Sequence, residues 1–184
     1  MQQAVPVGEG AMAAIMGLEV DDVRAAAKEA GAACANDNAP GQVVVSGSRE
    51  AVERAVENAA GRGAKHSVLL PVSAPFHSPL MAPAAKVMSD ALAEASMEPP
   101  MVPLIANVTA APVKNCERIR SLLVEQVTGM VRWRESVHAM RELGVDTVVE
   151  IGAGRVLTGL ARRIDRDLNT MSVEGPGDVE AFLK

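Results

Sequence analysis

Apolar positions in the first 72 residues follow two different periods. Spacings of i, i+3, i+4 and i+7 at 21–30 and 51–59 predict two amphipathic helices. Gly31 is suited to end the first helix, and Ser48 is suited to cap the second. Short apolar or β-branched runs predict four strands, at residues 10–18, 33–38, 42–46 and 65–72. The resulting order, β-α-β-β-α-β, is the split βαβ arrangement of a ferredoxin-like unit.

The pattern changes after residue 79 and predicts a different kind of layer. The run 145–151 is nearly continuously apolar, which is typical of a parallel strand buried on both faces. The predicted strands are too few for a complete doubly wound sheet, so we expect an incomplete α/β layer with exposed apolar surface. Helices are predicted at 81–96, 116–126, 133–143 and 155–166, and strands at 101–106, 145–151 and 169–173. The fold class is therefore α/β in two parts, 1–72 and 73–184.

Composition narrows the classes of function. The 184 residues carry a net charge of −5 and only three aromatic side chains, which disfavours nucleic-acid binding. The first residues show no signal peptide and no apolar run is long enough for a membrane span, so we expect a cytoplasmic protein with no membrane partner. Cys34 and Cys116 do not form a disulfide framework, which fits a reducing compartment.

His77 is the strongest candidate for chemistry. It follows an apolar strand and lies between Pro75 and Pro79, which is a suitable place to hold a general base. The alternative is a structural histidine in a loop, and the residues alone leave both interpretations open. No Gly-x-Ser-x-Gly motif occurs in the 184 residues, so a serine nucleophile in that motif is missing from them.

Other motifs have both a chemical and a structural interpretation. The amides of Asn36 and Asn38 are able to bind a thioester or amide chain, although asparagine is common in turns. The turn 152–154 precedes a helix whose N-terminus is a candidate anion site, although the dinucleotide fingerprint is incomplete. Cys34 is conceivable as a nucleophile for His77, although buried strand cysteines are commoner. No zinc-ligand spacing occurs, so no metal site is expected.

A locally basic stretch lies in the second half of this acidic chain. It suggests either a docking surface for an acidic partner or an ordinary solvated face. Its residues are Lys114, Arg118, Arg120, Arg132 and Arg134.

Taken together, these segments resemble the malonyl-CoA:acyl carrier protein transacylases of fatty-acid synthesis. The matching runs lie in family order over almost the whole chain: 10–18, 38–47, 70–81, 107–108, 131–133 and 150–160. The resemblance implies a ferredoxin-like small subdomain joined to the C-terminal part of an α/β-hydrolase-like acyltransferase subdomain.

The resemblance also implies a mechanism and a set of roles. In the family, a serine in Gly-His-Ser-x-Gly takes malonyl from malonyl-CoA and passes it to the phosphopantetheine thiol of acyl carrier protein, with no bound cofactor. The activating histidine corresponds to His77, and the backbone carbonyl that orients it corresponds to Gln126. Phe76, directly before the histidine, fits a malonyl group. The candidate substrate-binding residues are Asn36, Asn38, Phe76 and Asn107.

The chain also departs from the family pattern. The oxyanion segment, the serine motif and the arginine that pairs with the malonyl carboxylate are not found in it. We therefore expect a C-terminal portion of the enzyme that is inactive alone. The alternatives are a fragment of an acyltransferase domain from a modular polyketide or fatty-acid synthase, and a non-catalytic binding module derived from the same family.

Overall fold

The computed structural model describes residues 4–6, 8–72 and 74–184, which form a mixed α/β fold. The elements are β1 (Gly10–Met16), α1 (Val20–Ala30), β2 (Ala33–Ala39), β3 (Gln42–Ser48), α2 (Arg49–Gly61), β4 (His66–Leu69), a short 3-10 helix (Pro79–Met81), α3 (Ala82–Glu94), β5 (Leu104–Ala106), β6 (Ala111–Val113), α4 (Cys116–Thr128), α5 (Trp133–Glu142), β7 (Thr147–Ile151), α6 (Val156–Ile164), β8 (Asn169–Val173) and α7 (Pro176–Phe182).

The first four strands form an antiparallel sheet in the order β2-β3-β1-β4. The predicted order of elements over residues 10–72 is confirmed, although the fourth strand is shorter than predicted. The predicted end of α1 and the predicted start of α2 are both confirmed. Gly31 ends α1 at a φ of 76°, a left-handed conformation that favours glycine, and the Ser48 side chain accepts a hydrogen bond from the Ala51 N–H at 3.3 Å.

Helices α1 and α2 cover one face of this sheet. Their buried faces are mostly alanine, so the two helices approach each other and the sheet closely. Each valine or isoleucine fully removed from water here stabilises the fold by about 1.5–3 kcal/mol. The largest side chains of this cluster that are at most 1% exposed are Ile15, Val23, Val43, Val45 and Val52.

The opposite face of the sheet packs on the chain segment that follows β4. Met12 and Val44 of the sheet lie in a cluster that includes Phe76. Phe76 also packs on a second cluster, which contains Met81 and Val127 from the second half of the chain. Phe76 therefore joins the two halves directly beside His77.

The prediction of a parallel strand at 145–151 is confirmed in shorter form, but its predicted burial on both faces was wrong. Only Thr147–Ile151 forms a strand, and within the described residues β7 pairs with β8 alone, in parallel. Val148 and Val149 are half-buried, and the Ile151 side chain is 80% exposed, so this strand is not buried on both faces. The face of a strand is buried by the layer packed on it. Here Val148 packs on a cluster that includes Ala161 of α6, whereas Ile151 stays in water. Strand β6 and helix α7 were not predicted.

A buried ion pair connects the first sheet to helix α5. The Asp37 side chain is 1% exposed, and its Oδ2 accepts hydrogen bonds from Arg134 at 2.9 Å. The backbone of Val131 adds a parallel bridge to β2, since the Asp37 N–H donates to Val131 O at 2.9 Å and the Val131 N–H donates to Ala35 O at 2.8 Å. Burial raises the pKa of Asp37, while the Arg134 guanidinium opposes this shift.

We expect Arg134→Leu to lower the free energy of unfolding by about 3–5 kcal/mol near pH 7, because Asp37 would stay buried and unpaired. Without Arg134 the pKa of Asp37 rises further. An acid whose pKa is raised by folding favours the folded state at low pH, and that contribution is lost as the pH rises through the folded pKa. The loss should therefore be smaller near pH 5, measured by urea unfolding.

Arg118→Leu is the matched control. Its partner Glu125 and Arg118 itself are each 50% exposed, so we expect a change within about 0.5 kcal/mol. An Arg134→Leu loss no larger than this, or one that does not shrink at the lower pH, would show that the buried pair does not hold the sheet to α5.

Candidate active site

His77 lies in a strained turn between β4 and the 3-10 helix. Its φ of 57° is left-handed, which is uncommon for a residue other than glycine. Such a conformation costs about 1–3 kcal/mol and persists only where the surrounding structure imposes it. The buried Ser78 hydroxyl donates to Pro75 O at 2.7 Å, a bond that spans His77. Directly after it, the N–H of the fully buried Met81 donates to Ser78 O at 3.0 Å. The turn is therefore held at both ends.

The imidazole of His77 points at the C-terminal end of α4. Its Nδ1 is 2.8 Å from the backbone carbonyl oxygen of Gln126, a residue in the last turn of that helix. Carbonyls in the last turn have no N–H partner within the helix, so this oxygen is free to accept. Because a carbonyl only accepts, the neutral ring must carry its proton on Nδ1 and a lone pair on Nε2.

This arrangement suits a general base. Nε2 is able to take a proton from a nucleophile, and the ring then becomes positively charged. The negative end of the α4 dipole and the Gln126 carbonyl both stabilise that charge. The pair predicted from the family resemblance, His77 and the Gln126 carbonyl, thus lies in contact in the structure.

Asn107 belongs to the same group of side chains. It lies in the turn between β5 and β6, and its Nδ2 donates to Gln126 Oε1 at 3.1 Å. The sequence singled out Asn107 for substrate contact and gave no signal of this bond. The two residues are 19 positions apart and on different elements, so no spacing rule would have found the contact.

The remaining predicted residues are Phe76 in the segment after β4 and two asparagines on β2. Phe76 packs between two apolar clusters. Asn36 pairs in register with Val44, whose side chain lies on the sheet face that packs against Phe76. Asn38 lies in an irregular part of β2.

Two alternatives from the sequence are disfavoured. Burial raises the pKa of the Cys34 thiol to about 11, so this cysteine is protonated near neutral pH and is a poor nucleophile. The candidate anion site at the start of α6 is already filled by a carboxylate. Glu150 accepts hydrogen bonds from the backbone N–H groups of Leu157 at 3.0 Å and Thr158 at 2.7 Å, and the latter bond is the main reason that its pKa is lowered.

The basic stretch is largely engaged within the molecule, which favours a solvated face over a docking surface. Arg118 contacts Glu125, Arg120 contacts the carbonyl of Ala95, Arg132 contacts Glu135, and Arg134 contacts Asp37.

Among the residues described, no three His, Cys, Asp or Glu side chains cluster closely enough to hold a metal ion. In the same residues, every helix is too short or too polar to cross a membrane.

The acyl transferase domain family matches residues 1–174 of this sequence. The chain therefore belongs to the acyl transferase domain family. The malonyl CoA-acyl carrier protein transacylase of Escherichia coli strain K12 is 42% identical over 188 residues, covering 100% of this chain and 61% of that protein. The transacylase of the same name from Bacillus subtilis strain 168 is 41% identical over 189 residues, covering 100% of this chain and 60% of that protein.

Solved structures of malonyltransferases are also similar to this chain. An acyl-carrier-protein-S-malonyltransferase from Bartonella henselae is 52% identical with a TM-score of 0.94, covering 99% of this chain and 60% of that one. A malonyl-transacylase in complex with its type II PKS acyl-carrier protein is 40% identical with a TM-score of 0.94, covering 98% of this chain and 60% of that one. The chain spans about 60% of the length of the relatives it matches.

Gly10 at the start of β1 allows the His77 turn to approach the sheet. A Cβ at this position would lie 2.3 Å from Pro75 Cδ, two residues before His77. We expect Gly10→Ala to push the turn away and to lower the free energy of unfolding by about 1–3 kcal/mol, as overpacking does. Chemical denaturation measures this change.

Gly159→Ala in α6 is the matched control, because a Cβ there would meet nothing within 4 Å. Alanine should stabilise that helix by up to about 1 kcal/mol. If Gly10→Ala were as stable as the unsubstituted chain, the close approach of Pro75 would not constrain the His77 turn.

Proposed function

We propose that this chain provides the histidine side of malonyl transfer from malonyl-CoA to the phosphopantetheine thiol of acyl carrier protein, in fatty-acid biosynthesis. The observation that carries the proposal is the 2.8 Å contact between His77 Nδ1 and the Gln126 carbonyl, which leaves Nε2 free as a base. The names of the malonyl CoA-acyl carrier protein transacylases at 41–42% identity support the substrate and the partner.

The proposed reaction is a double displacement on a serine. As the serine oxygen attacks the malonyl thioester, His77 Nε2 takes the hydroxyl proton; the carbon–sulfur bond then breaks and the proton passes to the leaving CoA sulfur. In the second half, Nε2 takes the proton of the phosphopantetheine thiol as its sulfur attacks the malonyl-serine ester. The serine oxygen leaves and recovers the proton. The serine belongs to a Gly-His-Ser-x-Gly segment that the 184 residues do not contain.

The thioester arm of the substrate would bind where the two parts of the chain meet. We propose that residues 1–72 form a ferredoxin-like small subdomain and that residues 73–184 form the C-terminal portion of an α/β-hydrolase-like acyltransferase subdomain. The strand order β2-β3-β1-β4, with both helices on one face, supports the first part. The helix-free face meets the His77 turn through Phe76, and Asn36 and Asn38 on the edge strand of this sheet would bind the thioester arm.

We propose a bacterial, cytoplasmic acyltransferase. It needs no bound cofactor, because a serine carries the acyl group and a histidine carries the proton. A non-catalytic module would have no need of a histidine held in a left-handed conformation with its Nε2 free. The strain at His77, with a φ of 57°, therefore favours the catalytic interpretation.

The proposal is tested with a chimera that joins this chain to the serine-bearing segment of the Escherichia coli relative. We expect the chimera to transfer malonyl to acyl carrier protein, and the 184-residue chain alone to transfer none. In the chimera, His77→Ala should slow acylation of the serine by about a thousandfold or more, as loss of such a base does. Rapid-quench measurement of the malonyl-enzyme burst gives this rate.

His66→Ala is the matched control, because His66 is exposed at the start of β4 and pairs with Met16 in the sheet. It should leave the burst unchanged. A folded chimera that transfers no malonyl, or a His77→Ala chimera with a normal burst, would contradict the proposed function.

A further inference from the structure

Asn107 is bonded to the residue whose carbonyl orients His77. We infer that Asn107 is a positioning residue for His77: its amide holds Gln126 in place, so that the Gln126 carbonyl stays directed at Nδ1. This inference rests on the proposed role of His77 as the base. It gives Asn107 a role in addition to the expected contact with the substrate.

Gln126 is held through two separate groups. Its backbone oxygen accepts from His77 Nδ1 at 2.8 Å, and its side-chain oxygen accepts from Asn107 Nδ2 at 3.1 Å. The last turn of a helix frays, because its carbonyls lack helical partners. A bond to the side chain of Gln126 opposes that fraying at the one residue whose peptide plane must stay fixed.

Asn107 is itself fixed by the chain that leads into α5. Its backbone oxygen accepts from the Arg132 N–H at 2.9 Å. The Arg132 guanidinium donates to Thr109 O at 3.3 Å and is paired with Glu135 through an Nε–Oε1 contact of 2.8 Å. The turn that carries Asn107 is therefore tied to α5 at two points and does not drift with the α4 terminus.

Close packing keeps this turn against the end of α4. A Cβ on Gly129, the residue that follows α4, would lie 2.9 Å from Val108 Cγ1 and 2.9 Å from Glu125 O. Glycine therefore allows Val108 to touch the helix end, one residue from Asn107. The Asn107–Gln126 hydrogen bond and the Val108–Gly129 contact therefore hold the β5–β6 turn against the end of α4 at neighbouring positions.

The positioning role uses only part of the Asn107 amide. An asparagine amide has two N–H donors on one nitrogen, and one of them donates to Gln126. The second N–H stays available, so positioning of Gln126 and contact with a substrate are compatible. The base of His77, Nε2, is on the opposite side of the ring from Nδ1.

The test measures the tautomer of His77 in the 184-residue chain, by NMR of the imidazole nitrogens in protein with isotope-labelled histidine. Asn107→Leu has a similar size and lacks the donor. Gln126→Met keeps the backbone carbonyl and lacks the side-chain acceptor. We expect each to lower the ratio of the Nδ1–H to the Nε2–H tautomer about tenfold, and the double variant to be no worse than either alone.

Two further variants separate positioning from general loss of stability. Gln126→Glu keeps an acceptor for Asn107 and should retain the native tautomer. Asn115→Ala removes the cap at the other end of α4, where Asn115 Oδ1 accepts from the Arg118 N–H at 2.8 Å. It should lower the stability of the helix and leave the tautomer of His77 unchanged.

An unchanged tautomer in both Asn107→Leu and Gln126→Met would overturn the inference, and so would an equal shift in Asn115→Ala. Neither result needs malonyl-CoA or carrier protein, so neither bears on the proposed function. Conversely, a failed malonyl transfer by the chimera would leave the tautomer result intact.

Discussion

The site depends on a helix end that has an unused carbonyl. Helix α4 stops at Thr128, and the backbone oxygen of Gln126 in its last turn accepts from the His77 ring. One hydrogen bond thereby determines the tautomer of the ring, the side on which the base lies, and the place where a positive charge is best tolerated. A histidine in the same loop without this contact would have none of these properties fixed.

The surrounding fold keeps the His77 turn within reach of that carbonyl. Phe76 packs on the sheet and on the second half of the chain at once, and Gly10 lets Pro75 lie directly on β1. The buried pair of Asp37 and Arg134 attaches the same sheet to α5. Helices α4 and α5 are consecutive, so the sheet, the turn and the α4 terminus form one connected frame.

Much of this frame follows from local sequence. Periodicity identified α1 and α2, and the turn and cap preferences of Gly31 and Ser48 identified two of their ends, because these signals act within a few residues. The His77 turn was found for the same reason, since its prolines are neighbours in the chain. The Gln126 carbonyl came from the family resemblance alone, because any residue has a backbone oxygen.

Contacts between distant segments could not be predicted. Asp37 and Arg134 are 97 positions apart, and Asn107 and Gln126 are 19 apart on different elements. The error at 145–151 has a related cause. An apolar run indicates what a strand is able to bury, whereas its burial depends on the layers that pack on its two faces, and Ile151 at the end of β7 is left largely in water.

The most direct test of this account is the scalar coupling across the hydrogen bond between His77 Nδ1 and the carbonyl carbon of Gln126. It is measured by NMR on the 184-residue chain with both residues isotope-labelled. At a pH where the ring is neutral, we expect a protonated Nδ1 that couples to that carbon and an unprotonated Nε2. A neutral ring protonated on Nε2, with no coupling to Gln126, would contradict it.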